Sequence, residues 1–113
     1  LTALVEAEQR LSIPVHVGLD WAGDTFYAEG GDPTLWEKAK KAGVKSVEME
    51  ADTLFIVSNF RGWRAGALFA CDGTNKEIKP DWGQEAFLQG EENEIRIAIE
   101  AMKSIAIADK EKA

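Results

Sequence analysis

The run Val47-Glu48-Met49-Glu50-Ala51-Asp52 puts three carboxylates where a strand-like stretch gives way to a helical one. Along an extended chain, alternation sends Glu48 and Glu50 to one side and Met49 to the other. In an open parallel sheet, ligands bind outside the carboxyl ends of the strands. A carboxylate in that place can accept from two neighbouring hydroxyls at once, the donor set of a ribose diol. An unbranched Met can lie beneath the sugar. The same acids have a plainer use, because negative charge stabilises the positive end of the helix that follows.

Two further stretches carry chemistry-bearing residues. In Asp24-Thr25-Phe26-Tyr27, aromatic rings sit in a loop, where they can stack on a flat base or fold back over the core. In Asp72-Gly73-Thr74-Asn75, polar groups follow an apolar run at a position where sheets of this class present function; Asp-Gly is equally an ordinary turn pair. His16 is the only histidine, and a lone histidine in a strand is expected to be a hydrogen-bonded core or interface residue. Cys71 has no second cysteine and no histidine nearby in sequence, so a buried thiol is expected, with no metal site and no thiol nucleophile. No glycine-rich phosphate loop of the Walker or dinucleotide type is present.

The elements that must position these residues alternate. Leu1, Leu4, Val5, Glu8 and Leu11 follow helical spacing, and Ser12 and Pro14 end that helix. Ile13 to Leu19 reads as a buried strand, and residues 20–32 as an aromatic-bearing loop. Asp32-Pro33 predicts a helix start, with Asp32 as N-cap and a stop at Gly43. Val44 to Met49 is a second strand, Ala51 to Phe60 a helix closed by Gly62, and Ala65 to Cys71 a third, almost wholly apolar strand. After a loop over 72–83, the last helix is predicted from about Glu91, with Glu91, Glu92 and Glu94 at its positive end. The order α-β-α-β-α-β-α predicts an α/β fold with a mostly parallel, mixed sheet and helices on both faces.

Composition bounds the function classes. A chain of 113 residues, 45% apolar and 29% charged, suits a single domain over 1–113 with a core of its own. Its formal charge of −7 repels phosphate backbones and anionic lipids, which argues against nucleic acid and membrane surfaces as partners. The single cysteine fits a reducing compartment, so a cytoplasmic location is expected. There is no basic-apolar signal segment at the amino terminus. The chain opens at Leu1 directly in helical pattern, and the expectation is that further polypeptide precedes it in the native protein.

In order as well as in motif, the chain resembles the nucleoside phosphorylase superfamily of uridine phosphorylase and the hexameric purine nucleoside phosphorylases. The segments that carry the resemblance are Val15-His16-Val17-Gly18, Asp24-Thr25-Phe26-Tyr27, Val47-Glu48-Met49-Glu50-Ala51 and Arg64-Ala65-Gly66. It implies part of a three-layer sandwich, corresponding to the carboxy-terminal portion of such an enzyme. By resemblance, Phe26 stacks near the base with Tyr27 beside it. Glu50 accepts from the 2′- and 3′-hydroxyls, Met49 contacts the sugar and Glu48 supports it. Asp72 stands close to the Asp that protonates a departing purine, with Gly73 shifting the register. The implied reaction is phosphorolysis of a nucleoside to base and ribose 1-phosphate, of the uridine phosphorylase type, with phosphate as co-substrate and no cofactor or metal. A homo-oligomer, a dimer or a hexamer built from dimers, is implied as well.

The chain also departs from the family. The Gln and Arg that read a uracil edge are absent from Ala28-Glu29-Gly30-Gly31-Asp32. The phosphate site draws on a glycine-rich strand end and arginines of an amino-terminal portion, and Arg10, Arg61, Arg64 and Arg96 sit in no matching motif. A hydrolytic nucleosidase, which grips the same sugar, and a catalytically incomplete fragment for nucleoside binding or assembly are the alternative readings.

Overall fold

The computed structural model describes residues 1–24, 32–73 and 84–113. In chain order its elements are α1 (Thr2–Leu11), β1 (Leu19–Ala22), α2 (Leu35–Lys41), β2 (Val44–Glu48), α3 (Ala51–Phe60) and α4 (Glu85–Lys112). The architecture is α/β, with β1 and β2 forming a two-stranded parallel sheet. The described residues group into two compact units, one of residues 1–15 with 66–113 and one of residues 16–65.

The first unit is built on α1 against α4. Ala7, Ile13, Ile97 and Ala101 are buried together, with Ala3, Leu4, Leu11, Val15 and Leu68 packed around them. Small side chains at Ala7 and Ala101 let the two helices approach, and Ile97, only 1% exposed, fills the space between. Helix α1 closes with Ser12 in the left-handed region at φ 54°. The amide of Ser12 donates to the Gln9 carbonyl and that of Ile13 to the Glu8 carbonyl, a Schellman closure that turns Ile13 into the core. At the rim, Arg10 donates through Nε to Glu100 at 3.0 Å and through Nη2 to Ser104.

Two of the expected strands are not formed. Ile13 to Gly18 carries no ladder and pairing starts only at Leu19; residues 65–71 carry none either. Leu68 nevertheless packs on the core, and Gly66 and Gly90 permit close passage. A Cβ at Gly66 would lie 3.0 Å from Leu4 Cδ1, and one at Gly90 would lie 3.2 Å from the Ala70 Cβ. Apolar composition is enough to bury such a stretch, but a strand also needs a neighbouring backbone to pair with, and none of the described residues supplies it. Cys71, expected to be buried in that run, is exposed, as is His16.

The last helix also begins earlier than expected, at Glu85 rather than Glu91. Glu85, Ala86, Leu88 and Gln89 are good helix formers and extend it backwards through Gly90. Glu85 therefore takes the positive end, while Glu91, Glu92 and Glu94 lie further along. Burial raises the pKa of Glu94 above the ordinary value, against an opposing hydrogen bond from the Ala70 backbone.

In the second unit α2 packs on β2, and Trp21 of β1 meets Trp36 of α2 edge to face at 5.8 Å between ring centres. Asp32 is not the N-cap: α2 starts two residues later, with Thr34 in that position. The Asp32 carboxylate instead accepts from the Thr34 amide at 2.8 Å and from its hydroxyl at 2.6 Å, and it pairs with Lys38. Lys38 and then Thr34 lower the Asp32 pKa. Gly43 at φ 82° and Gly62 at φ 69° end α2 and α3 in the left-handed region, as the sequence leads one to expect.

Truncating Ile97 to Ala removes the largest fully buried side chain and leaves a void between α1 and α4. Chemical denaturation of that variant is expected to show a loss of about 2–5 kcal/mol.

Candidate functional site

The acidic segment singled out in sequence lies at the carboxyl end of β2. The strands pair in parallel, with Asp20 opposite Ser46, Trp21 opposite Val47 and Ala22 opposite Glu48. The Gly23 amide continues the ladder, donating to the Glu48 carbonyl at 2.8 Å. Beyond Glu48 the chain bends through Met49 and Glu50 and enters α3 at Ala51.

Glu48 is used locally. Its Oε2 accepts from the Glu50 amide at 2.7 Å and from the Ala51 amide at 2.6 Å. These are donors that the first turn of a helix leaves without intrahelical partners, and a carboxylate there also meets the positive end of the helix dipole. Glu50 occupies the N-cap position without a capping side-chain bond of its own. Its carboxylate, exposed, has no hydrogen bond or ion pair among the described residues. Met49 is 41% exposed on the same bend. The plainer use of the acids therefore falls to Glu48, which leaves Glu50 and Met49 available to a ligand.

Sequence reasoning missed Asp20, which it had placed in a loop. The register slips between Leu19 and Asp20, so that Leu19 faces Val44 while Asp20 faces Ser46, and Lys45 is passed over. Asp20, Ser46 and Glu48 consequently share one face of the ladder. Ser46 Oγ donates to Asp20 Oδ1 at 2.6 Å. Burial raises the Asp20 pKa above its ordinary value. Glu48 raises it further by hydrogen bond and by charge, against the lowering effect of Ser46. An acid immediately after a predicted strand end was visible in the sequence; the slip that places it on one face with Ser46 and Glu48 was not.

The remaining predicted residues fall elsewhere. Phe26 and Tyr27 lie outside the described residues. Asp72 belongs to the first unit, exposed just beyond Cys71. The structure thus brings together Glu48, Met49 and Glu50, and adds Asp20 to them. A shallow cavity of about 210 Å³ in the first unit, lined by Leu4, Leu68 and Glu94 among others, contains none of the predicted site residues. Among the described residues no cluster of three or more side chains could hold a metal ion, and no helix is long and apolar enough to cross a membrane.

With this geometry in place, comparison with known proteins is informative. The sequence profile of the phosphorylase superfamily matches residues 1–108. The chain is 34% identical, over 97% of its length, to a uridine phosphorylase of Thermococcus kodakarensis. It is 31% identical, over 91% of its length, to a purine nucleoside phosphorylase of Plasmodium vivax. Against a guanosine phosphorylase of Halorubrum lacusprofundi it is 36% identical over 65% of the chain and 30% of that relative. The chain belongs to the phosphorylase superfamily. It spans 42% of the length of each of the first two relatives. No solved structure matches it.

Replacing Glu48 with Ala removes the acceptor for two amides at the start of α3. Stability is expected to fall by about 1–3 kcal/mol. Hydrogen exchange should accelerate at the Glu50 and Ala51 amides ahead of the rest of α3, which NMR exchange rates would show.

Proposed function

We propose that this chain supplies the sugar and base contacts of a nucleoside phosphorylase, of the uridine phosphorylase type, and corresponds to the carboxy-terminal portion of such an enzyme. The observation that carries the reading is the bend after β2, where Glu48 is engaged with the backbone and Glu50 presents an unpaired carboxylate at the carboxyl end of a parallel strand. In this reading Glu50 accepts from the 2′- and 3′-hydroxyls of ribose, Met49 lies against the sugar, and Phe26 and Tyr27 contact the base. Asp72 protonates the departing base. Phosphate attacks the anomeric carbon as the glycosidic bond breaks through an oxocarbenium-like state, and the protein contributes positioning and electrostatic stabilisation. The names of the relatives, which cover uridine and purine nucleosides, support the reaction class.

The phosphate site is assigned to polypeptide outside this chain. Helix α3 supports that division. Its buried residues are only Ala51 and Ser58, while Ile56 is 69% and Phe60 88% exposed. A helix apolar on most sides is suited to burial on most sides. Both strands of the described sheet also keep an open edge, which favours further pairing. Within the same reading the complete protein is a cytoplasmic homo-oligomer with three layers.

Equilibrium binding of uridine and inosine, with chromatography of free base in the presence and absence of phosphate, tests the proposal. The 113-residue chain is expected to bind nucleoside without releasing base. Glu50→Ala should weaken that binding about 10- to 100-fold, the range for loss of hydrogen bonds to a charged group. Unchanged affinity in that variant would overturn the role of Glu50. Phosphate-dependent release by this chain alone would overturn the division of labour, and release without phosphate would make the hydrolytic reading the better one.

A further inference from the structure

The ladder that leads to the acidic bend contains one irregularity. Leu19 faces Val44, but the next pair is Asp20 with Ser46, so Lys45 of β2 is passed over. Two alignments of β1 with β2 are therefore in competition. Continued without the slip, the first would set Asp20 opposite Lys45, Ala22 opposite Val47 and Gly23 opposite Glu48. The second sets Asp20 opposite Ser46 and Ala22 opposite Glu48, and it is the one the structure keeps to the end of the ladder. Because side chains alternate, Glu48 shares a face with Asp20 only in the second.

Two observations show what favours the second alignment. Ser46 Oγ donates to Asp20 Oδ1 at 2.6 Å in a part-buried position, a bond that needs the two residues opposite each other on one face. The first alignment would offer an ion pair between Asp20 and Lys45 instead, but Lys45 is exposed and exposed ion pairs contribute little. A part-buried hydrogen bond to a carboxyl group outweighs such a pair. The other observation is the room made for the residue passed over. Lys45 lies along Gly18, where a Cβ would collide with the Lys45 Cγ.

We infer that Ser46 and Asp20 are positioning residues: their hydrogen bond across the ladder selects the alignment that sets the Glu48–Glu50 bend against the end of β1. Past this pair the ladder runs evenly to the Gly23 amide, which donates to the Glu48 carbonyl at 2.8 Å, and the bend follows at once. The chain leaving β1 leads in sequence to the residues assigned above to the base, and the chain leaving β2 to those assigned to the sugar. A slip of one residue would displace one exit against the other by about 3.3 Å, the rise of one strand residue. That is well beyond the roughly 1 Å of misplacement that already costs a site its geometry. The functional consequence rests on the reading of Glu50 as the sugar acceptor; the choice of alignment does not.

The test compares Ser46→Ala with Ser46→Thr and Asp20→Asn, using the whole chain at a temperature where each variant is folded. Cross-strand NOEs report the alignment, and equilibrium binding of uridine and inosine reports the site. In the unmutated chain the NOEs should pair Asp20 with Ser46 and Ala22 with Glu48. Ser46→Ala removes the donor, so a share of chains should pair Asp20 with Lys45. Nucleoside affinity should then fall about 10-fold, in proportion to the chains that leave the competent alignment. Ser46→Thr keeps the hydroxyl and Asp20→Asn keeps an acceptor oxygen, and both should retain alignment and affinity. Glu50→Ala should weaken binding with the alignment unchanged, because it removes a contact and not a position. Ser46→Val, a better strand former that also lacks the hydroxyl, takes the place of Ser46→Ala if that variant does not fold. Pairing of Asp20 with Lys45 in the unmutated chain, or a Ser46→Ala variant with unchanged NOEs, would overturn the inference; so would affinity that ignores a shifted alignment. If Ser46→Ala shifts the alignment but the unmutated chain binds no nucleoside, the clamp stands and the reading of Glu50 falls. Nucleoside binding with an alignment that Ser46→Ala leaves untouched has the opposite meaning.

Discussion

Parallel pairing of β1 with β2 is the constraint on which the candidate site depends. The ladder ends where the Gly23 amide donates to the Glu48 carbonyl, and that bond holds the end of β2 beside β1. From there the chain must turn at once into α3, whose first amides need acceptors. Glu48 meets that need from inside the turn. Glu50 and Met49 are then exposed on the same bend. Local helix capping by Glu48 and exposure of Glu50 are thus two consequences of one arrangement.

The division of labour between neighbouring acids has a physical logic. A carboxylate engaged with two backbone amides is oriented and partly desolvated, which makes it a poor free acceptor but a good strut. The next acid in the same alternation, Glu50, is left exposed, with no side-chain partner among the described residues. Asp20 enters as a third acid on the same face, and three negative charges in so small a space would repel. Burial and the nearby Glu48 raise the Asp20 pKa, against the lowering effect of the Ser46 hydroxyl that donates to its carboxyl.

Membership of the phosphorylase superfamily sets this arrangement in context. The chain spans 42% of the length of each of the first two relatives. The exposed apolar side chains of α3 and the unpaired stretches at 13–18 and 65–71 stand out within it.

The sequence by itself determined the class and the local punctuation. Alternating helical and β-branched runs established an α/β chain, Ser12, Gly43 and Gly62 marked helix ends, and Glu48-Met49-Glu50 marked a strand-to-helix junction. These features follow from dihedral preferences and periodicities that act over a few residues. Strand formation at 13–18 and 65–71 was not decided there, because a ladder needs a partner and composition cannot supply one. Nor was the early start of α4 at Glu85, which propensity favoured but the acidic cluster at Glu91 obscured. Only the tertiary structure decided which acid is spent on the backbone and which is displayed. It alone brought Asp20 to Glu48, because a slip of one residue in register changes the neighbours of every side chain beyond it.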